Sequence, residues 1–492
     1  MNYFLGIDVS TTASKAVLID QTGAVIAIHA NSHAPFSVPS QPLWSEQNPN
    51  DWTSAAIDAI KNVVQKVDAK KILCIGLTGQ MHGLVILDRY KKPIRAAILW
   101  NDQRSSAECL EIENELGHDF LCQHIGSKIL PCHLLSKLRW LKKQEPHHYQ
   151  KISHIITPKD YVRFCLSGVL AVDKSDGSGF GLMDIAKRDW SDVMLESQHI
   201  PKSWLPDLFE SIDICSVINE AGANATGLKI GTPIIAGAGD QPAQSVGCHL
   251  IDSRTMSLQV GTSGVVTKID DYVPAKQGEY LNYCHTQSSQ WIAMGLTASA
   301  AGSLRWFRDH IAMRYSFKEI DEMAASVSPG SDGLLFTPDI GGNIHPHANA
   351  NARGHFVGFT ERHTLAHMAR AVLEGVAFSL REMAEVMNRQ SNAQPNHFMI
   401  SGGAANSLLW KTIFADIFQK PLNTVNNVEG AAFGVAIMAG VAVQQWPSVE
   451  VACERLVKPG ELIEPSNKDQ YEQSYFQWKL VYPSVKNIWH CG

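Results

Sequence analysis

Gly6-Ile7-Asp8-Val9-Ser10-Thr11-Thr12-Ala13-Ser14-Lys15-Ala16-Val17-Leu18 reads as an apolar strand, a tight turn of small hydroxyl residues, and a second apolar strand. The pattern returns midway along the chain as Met256-Ser257-Leu258-Gln259-Val260-Gly261-Thr262-Ser263-Gly264-Val265-Val266. Apolar runs either side of a short polar turn predict a hairpin, and a second copy predicts an internal duplication. Such a turn offers backbone N–H groups and hydroxyls to an anion, and small side chains let a phosphate come close. Two of them in separate halves can hold one polyphosphate between them. That implies a nucleotide-dependent phosphotransferase whose site lies in a cleft between two related domains.

Working outward, Gly23 stands at the turn between Val17-Leu18-Ile19 and Val25-Ile26-Ala27-Ile28, a predicted strand pair. Asn48-Pro49-Asn50-Asp51 caps a predicted helix over 52–67. A buried strand is expected over 72–77, ending in the polar turn Thr78-Gly79-Gln80-Met81-His82-Gly83. Further strands are expected at Val85-Ile86-Leu87 and at Ala97-Ile98-Leu99-Trp100, and residues 104–165 read as mostly helical. Ile234-Ile235-Ala236-Gly237-Ala238-Gly239-Asp240 is again strand into glycine turn, with a helix predicted over 241–248. In the second half, helices are expected over 299–311 and 364–388, the latter burying Ala366, Met368, Ala369, Val372, Leu373, Val376 and Ala377. Phe398-Met399-Ile400-Ser401-Gly402-Gly403-Ala404-Ala405-Asn406 repeats strand, glycine turn and helix start. Alternating strands and helices in both halves predict α/β folding. The boundary falls near 249–254, dividing the chain into 1–250 and 251–492.

The 492 residues suffice for two or three cores. Hydrophobic residues at 45% and charged residues at 18% are ordinary for a globular protein, and no apolar run reaches the roughly 18 residues that span a bilayer. A net charge of −6 with no long basic run argues against nucleic-acid binding. The start, Met1-Asn2-Tyr3-Phe4-Leu5-Gly6-Ile7-Asp8, lacks the charged and apolar regions of a signal peptide. Ten cysteines without a CxxC pair read as reduced core thiols, so a soluble cytoplasmic protein is expected.

Asp8 stands where a strand enters the first loop. An acid there suits a Mg²⁺ that bridges a triphosphate, or else caps its own turn. Lys15 reads as a surface strand lysine, with phosphate contact the alternative. Gly237-Ala238-Gly239-Asp240-Gln241 sets a carboxylate at a strand's end, either as a helix N-cap or as the group that orients a hydroxyl and accepts its proton late. Gln80-Met81-His82-Gly83 and Trp100-Asn101-Asp102-Gln103-Arg104 supply amide, imidazole and aromatic groups of the kind a polyol site needs. Asp102 and Arg104 also read as a local ion pair. His345-Pro346-His347 with His355 invites a metal reading, but no carboxylate or cysteine completes the set.

These segments together resemble the FGGY carbohydrate kinases, and within them the xylulokinases most closely. The matching stretches include Leu43-Trp44-Ser45-Glu46-Gln47-Asn48-Pro49, Gly79-Gln80-Met81-His82-Gly83, Pro158-Lys159-Asp160-Tyr161, Gly239-Asp240-Gln241, Val260-Gly261-Thr262-Ser263-Gly264, Ser401-Gly402-Gly403-Ala404 and Glu429-Gly430-Ala431-Ala432, in family order along nearly the whole chain. The resemblance implies an actin-like, hexokinase-type fold of two duplicated RNase H-like domains around a cleft. It implies ATP- and Mg²⁺-dependent phosphorylation of a sugar's terminal hydroxyl, D-xylulose to D-xylulose 5-phosphate. Carried over, Asp240 is the catalytic base and Asp8 faces the metal. Gln80, Met81, His82 and Gln241 meet the sugar, with Trp100 and Asn101 close by. Thr11, Thr12, Gly261 and Thr262 face the phosphates, and Gly402, Gly403, Ala404 and Asn406 line the adenosine pocket. Homodimers are common among relatives, although no oligomeric state is legible here.

Three departures stand out. Ser10 replaces the glycine of the usual D-x-G-T loop, a strain of about 1–3 kcal/mol if that residue needs a positive φ. Gly342-Asn343-Ile344-His345-Pro346 replaces G-E-R-T-P, losing a Glu–Arg pair at once. Gln241 follows Asp240 where many sugar kinases have Asn, a change that bears on which ketose fits. The alternatives are a kinase for ribulose, erythrulose or gluconate, and a sugar sensor that has lost turnover.

Overall fold

The computed structural model describes residues 1–33, 41, 43–272, 279–389, 394–425, 430–466 and 469–490. Glu429, at the edge of the last matching stretch, and Cys491 lie outside the described residues.

The first loop joins β1 (Tyr3–Val9) to β2 (Ala13–Asp20), and β3 (Val25–Ser32) follows after a turn in which Gly23 takes a φ of 81°. The apolar run at 72–77 becomes β4 (Ile72–Gly79). Later come β5 (Ile214–Val217), β6 (Pro233–Ile235) and β7 (Ala238–Gly239). The sheet order is β5-β6-β4-β1-β2-β3, with β7 also pairing β4. β1, β2 and β3 form an antiparallel meander, while β4 runs parallel to β1 and β6 parallel to β4.

The second half repeats this plan. β8 (Thr255–Val260) and β9 (Gly264–Asp270) flank the second loop; β10 (Leu281–Cys284), β11 (Trp291–Thr297), β12 (His397–Gly402), β13 (Leu422–Val425) and β14 (Pro459–Ile463) complete a sheet ordered β10-β11-β9-β8-β12-β13-β14. β8, β9 and β11 are the antiparallel meander, and β12 and β13 the parallel strands. The equivalent loops therefore sit at equivalent hairpins, and the duplication read from two short stretches extends to both sheets.

Helix α1 (Pro49–Val64) starts three residues before the expected Trp52. Asn48 caps it through the Asn50 N–H, and proline suits the first helical position, where an N–H lacks a partner anyway. The remaining helices that bear on the site are α2 (Leu134–Gln144), α3 (Asp240–Gly247), α4 (Ala301–His310), α5 (Leu365–Asn388), α6 (Leu408–Phe418) and α7 (Gly430–Ala442). On α5, Ala369, Val372, Leu373, Val376 and Ala377 are buried as expected, while Ala366 and Met368 stay half-buried at the margin.

Although α7 comes late in the chain, it packs against the first sheet and α3, sharing a core with Phe4, Val17, Ile19 and Cys74. It is apolar all round, as a helix enclosed on every side must be. Two glycines let it approach α3: a Cβ on Gly247 would stand 1.8 Å from the Gly430 carbonyl oxygen, and one on Gly434 would stand 2.0 Å from that of Ala243. Since α3 begins at Asp240, this crossing seats that carboxylate. No described helix is long and apolar enough to cross a membrane.

Candidate active site

Asp8 lies near the end of β1, paired in register with Lys15 on β2 and Thr78 on β4. Ser10 is outside the left-handed region, so the strain that a positive φ would bring is absent. Its hydroxyl donates to Ala13 O at 2.8 Å and closes the turn. Thr11 hangs in an amide and hydroxyl network: its hydroxyl donates to Gln80 Oε1 (3.3 Å) and accepts from Trp100 Nε1 (3.2 Å). Gln47 Nε2 donates to Thr11 O (2.8 Å), and Gln47 Oε1 accepts from Gln80 Nε2 (3.2 Å) and Trp52 Nε1 (2.9 Å). Thr11, Gln80 and Trp100 are thus brought together, with 47% of Trp100 left open to solvent. Thr12 and Asn101 are exposed, and the Asn101 carbonyl accepts from Gln103 Nε2 (3.5 Å).

The turn after β4 carries Met81 against Gly239, where a Cβ would stand 2.6 Å from Met81 Cγ. His82 takes a φ of 64°, a strained conformation for a non-glycine residue that costs about 1–3 kcal/mol. Lys137 on α2 holds it there: the buried amine donates to His82 O (2.6 Å) and Cys132 O (2.9 Å). Burial brings that amine down to about 7. The His82 ring is engaged at both nitrogens. Nδ1 donates to Gly179 O (3.4 Å), which leaves Nε2 to accept from the Tyr283 hydroxyl (3.1 Å) on β10. Burial, with His133 and Lys137 nearby, keeps His82 neutral, well below its ordinary value.

Asp240 opens α3 after the Gly239 turn, whose N–H donates to Ser175 Oγ (3.1 Å). Its own carboxylate accepts from the Gln241 N–H at 2.8 Å. Burial first, then the charge on Asp8, push its carboxyl up to about 8, well above the 3.8 of a free aspartate. Behind it lies a fully buried charged group. Lys159 Nζ meets Asp160 (2.6 Å), Asp173 (2.7 Å) and Asp176 (3.4 Å), and Arg163 meets Asp160 (2.9 Å). Burial raises Asp176 to about 7 against the pull of Lys159.

Two cavities flank the glycine turn after β12. One, of about 470 Å³, is lined by Asp8, Lys15, Gln259, Ser401, Gly402 and Asn406, so residues of both halves face it. The other, of about 460 Å³, is lined by Arg305, Phe317, Asp321, Gly403, Asn406 and Trp410, among others. Asn406 belongs to both. In the second loop, the carbonyls of Gly261 and Thr262 accept from Ala301 N (2.8 Å) and Gly302 N (3.0 Å) at the start of α4, and Thr262 Oγ1 accepts from Arg305 (3.3 Å). Ala404 differs from the others in its set: it is fully buried in the second core and lines neither cavity.

Asp102 and Arg104 form the buried ion pair foreseen (2.7 Å), and Arg104 stacks 3.9 Å over Trp44. The histidines around 345 do not converge: His345 Nδ1 accepts from Leu296 N, His347 stacks on Tyr482, and His355 pairs with Thr337. Among the described residues, His82, Cys132 and His133 cluster instead. There His133 Nδ1 accepts from Leu130 N, so its Nε2 bears the proton and is no ligand. Where the family's Glu–Arg pair is lost, amides hold the loop: Asn343 Nδ2 donates to Asp339 (2.8 Å) and Asn343 Oδ1 accepts from His347 N (3.1 Å). Tyr283, Lys137 and Asp176 escaped sequence reading, since each acquires its role from neighbours far away in the chain.

Comparison with known proteins agrees with this geometry. Residues 3–247 match the N-terminal domain of the FGGY family of carbohydrate kinases, and residues 256–443 match its C-terminal domain. The chain is 33% identical over 496 residues to the xylulose kinase of Lactococcus lactis subsp. lactis (strain IL1403), covering 100% of this chain and 98% of that protein. Its structure is similar to ligand-bound xylulose kinase from Lactobacillus acidophilus, with a TM-score of 0.94 at 25% identity and coverage of 100% and 99%. It is equally similar to gluconate kinase from Lactobacillus acidophilus, with a TM-score of 0.94, 25% identity and 99% coverage of each chain. A cavity lined from both halves, an acid at the head of α3 and full-length matches in both halves lead to one conclusion: the chain belongs to the FGGY family of carbohydrate kinases.

Proposed function

We propose that the chain transfers the γ-phosphoryl group of ATP to the terminal hydroxyl of D-xylulose, giving D-xylulose 5-phosphate and ADP. Residues 1–250 hold the sugar and the base, and residues 251–492 hold the nucleotide. Asp240 takes the hydroxyl proton as the oxygen–phosphorus bond forms and the bond to the ADP oxygen breaks. Gln80, Met81 and His82, with Trp100, Asn101 and Gln241, frame the sugar. Thr11, Thr12, Gly261 and Thr262 flank the phosphates. Gly402, Gly403, Ala404 and Asn406 flank the adenosine. Burial, with the charge on Asp8 added to it, raises Asp240 to about 8, and two acids in one cleft fit a divalent cation. A bound Mg²⁺ would supply that compensation at Asp8 and screen the phosphates.

The observation that carries the reading is the cavity in which Asp8 of the first half faces Gly402 and Asn406 of the second. Full-length similarity to xylulose kinases supports the choice of sugar. The likeness to gluconate kinase keeps gluconate as a second reading. Coupled ADP release with MgATP across xylulose, ribulose, erythrulose, gluconate and glycerol tests it. A clear preference for D-xylulose is expected. Preference for another compound would move the substrate and keep the chemistry, and sugar binding without ADP release would make the chain a sensor.

A further inference from the structure

The buried charges behind Asp240 do not balance if every acid among them is ionised. Lys159 and Arg163 supply two positive charges against the three acids Asp160, Asp173 and Asp176, and none of these side chains is more than 1% exposed. A net charge at such depth is costly, and one bound proton removes it. Local geometry says where that proton sits. Thr157 is the N-cap residue of the helix Pro158–Ser167, yet its hydroxyl makes no cap hydrogen bond. Instead it lies 2.7 Å from Asp160 Oδ2 and 2.7 Å from Asp176 Oδ2. A hydroxyl has one hydrogen to donate, so the second contact needs a hydrogen from an acid. Asp160 is paired with both cations, Lys159 (2.6 Å) and Arg163 (2.9 Å), and so keeps its charge. Asp176 stands 3.4 Å from Lys159, and its Oδ1 has no hydrogen-bond partner among the described residues, which suits the uncharged form. Asp176 Oδ2 therefore bears the proton and donates it to Thr157, while Thr157 donates to Asp160.

The same group grips the turn that presents Asp240 at two points. Arg163 donates to Ala236 O (2.7 Å) where the turn begins, and the Gly239 N–H, next to Asp240, donates to Ser175 Oγ (3.1 Å). Ser175 in turn donates to Asp173 Oδ2, which also accepts from the backbone N–H groups of Ser175 (2.8 Å) and Asp176 (3.1 Å). The other Asp173 oxygen meets Lys159 (2.7 Å). We infer that Ser175 is a positioning residue that ties the Asp240 turn to this buried group, and that one proton on Asp176 keeps the group uncharged.

The missing charge matters at the base. Besides its own cluster, Asp176 acts on Asp240 at the head of α3 and on Tyr283 of β10. A carboxylate at Asp176 would oppose the ionised form of Asp240 that accepts a proton, and the neutral acid does not.

The inference rests on the proposed base role of Asp240, and its test separates the two. The proton is read without substrate. At about pH 6, the infrared spectrum of wild type minus that of Asp176→Asn should show the carbonyl band of a protonated carboxylic acid and no carboxylate band. Burial raises Asp176 from 3.8 to about 7, so below the lower value it costs the fold nothing, and stability is lost as pH rises towards the upper one. Asp176→Asn should therefore melt with wild type at about pH 4 and above it at about pH 8. Ser175→Ala should lower kcat by about three- to tenfold, on whichever panel compound wild type phosphorylates best, with KM for ATP unchanged. A merely structural Ser175 would lower the denaturation midpoint and leave kcat alone. A carboxylate band in the difference spectrum, or Asp176→Asn melting below wild type at about pH 8, would overturn the proton on Asp176. An unchanged kcat in Ser175→Ala would overturn its positioning role. Near-normal kcat in Asp240→Asn would refute the base role instead, and the infrared and melting results would stand.

Discussion

Replacing Asp240 by asparagine should abolish turnover and at the same time stabilise the unliganded protein. The carboxyl of Asp240 stands at about 8 in the folded chain, against 3.8 when free. Below the lower value both states carry the proton, so the acid costs the fold nothing. Above it the unfolded chain ionises while the folded chain resists, and stability is lost progressively until the pH passes the folded value. A shift of this size corresponds to at most about 6 kcal/mol. Asp240 keeps partial exposure at the cleft, and solvent screening reduces the expected effect to about 1–3 kcal/mol. Asparagine escapes the penalty, so Asp240→Asn should match wild type in denaturant melts at about pH 4 and exceed it at about pH 8. The same titration governs catalysis. An acid raised above its free value is incompletely ionised near neutrality, so kcat/KM for the sugar at low MgATP should rise with pH between about 6 and 8 and then level. Saturating MgATP brings positive charge to the cleft and should move the limb of kcat to lower pH. A kcat/KM independent of pH across that range, or a variant less stable than wild type at about pH 8, would falsify the argument.

Three further expectations follow from the packing and the cavities. Gly247→Ala inserts a methyl 1.8 Å from the Gly430 carbonyl and must part α3 from α7, so the denaturation midpoint should fall by the equivalent of about 1–3 kcal/mol; an unchanged midpoint would show that the crossing relaxes freely. Asn406 lines both cavities, and Asn406→Ala should raise KM for ATP by about two- to tenfold with KM for sugar unchanged; a matched rise in both would remove it from the nucleotide site. Asp8→Asn should raise the Mg²⁺ concentration that gives half-maximal rate, read by titrating Mg²⁺ at fixed ATP, and an unaltered titration would deny Asp8 the metal.

What the chain's order of residues determined by itself is local. The two strand–turn–strand loops, the glycine turn before Asp240 and the cap at Asn48 each occupy one contiguous run, and a short run can be read because backbone geometry and hydrogen bonding act between near neighbours in the chain. The duplicated fold was legible for the same reason, since two copies of one run imply two copies of its surroundings. Tertiary structure alone decided the rest. Asp240 is shifted by Asp8, more than two hundred residues away; His82 is held by Lys137 on α2 and engaged by Tyr283 on β10; and α7 closes the core of the first half from near the end of the chain. Ala404 is buried in the core while Asn101 stays in solvent, although the family resemblance assigns both to the site. These outcomes depend on burial and on charges meeting through space, and neither quantity exists until the chain has folded.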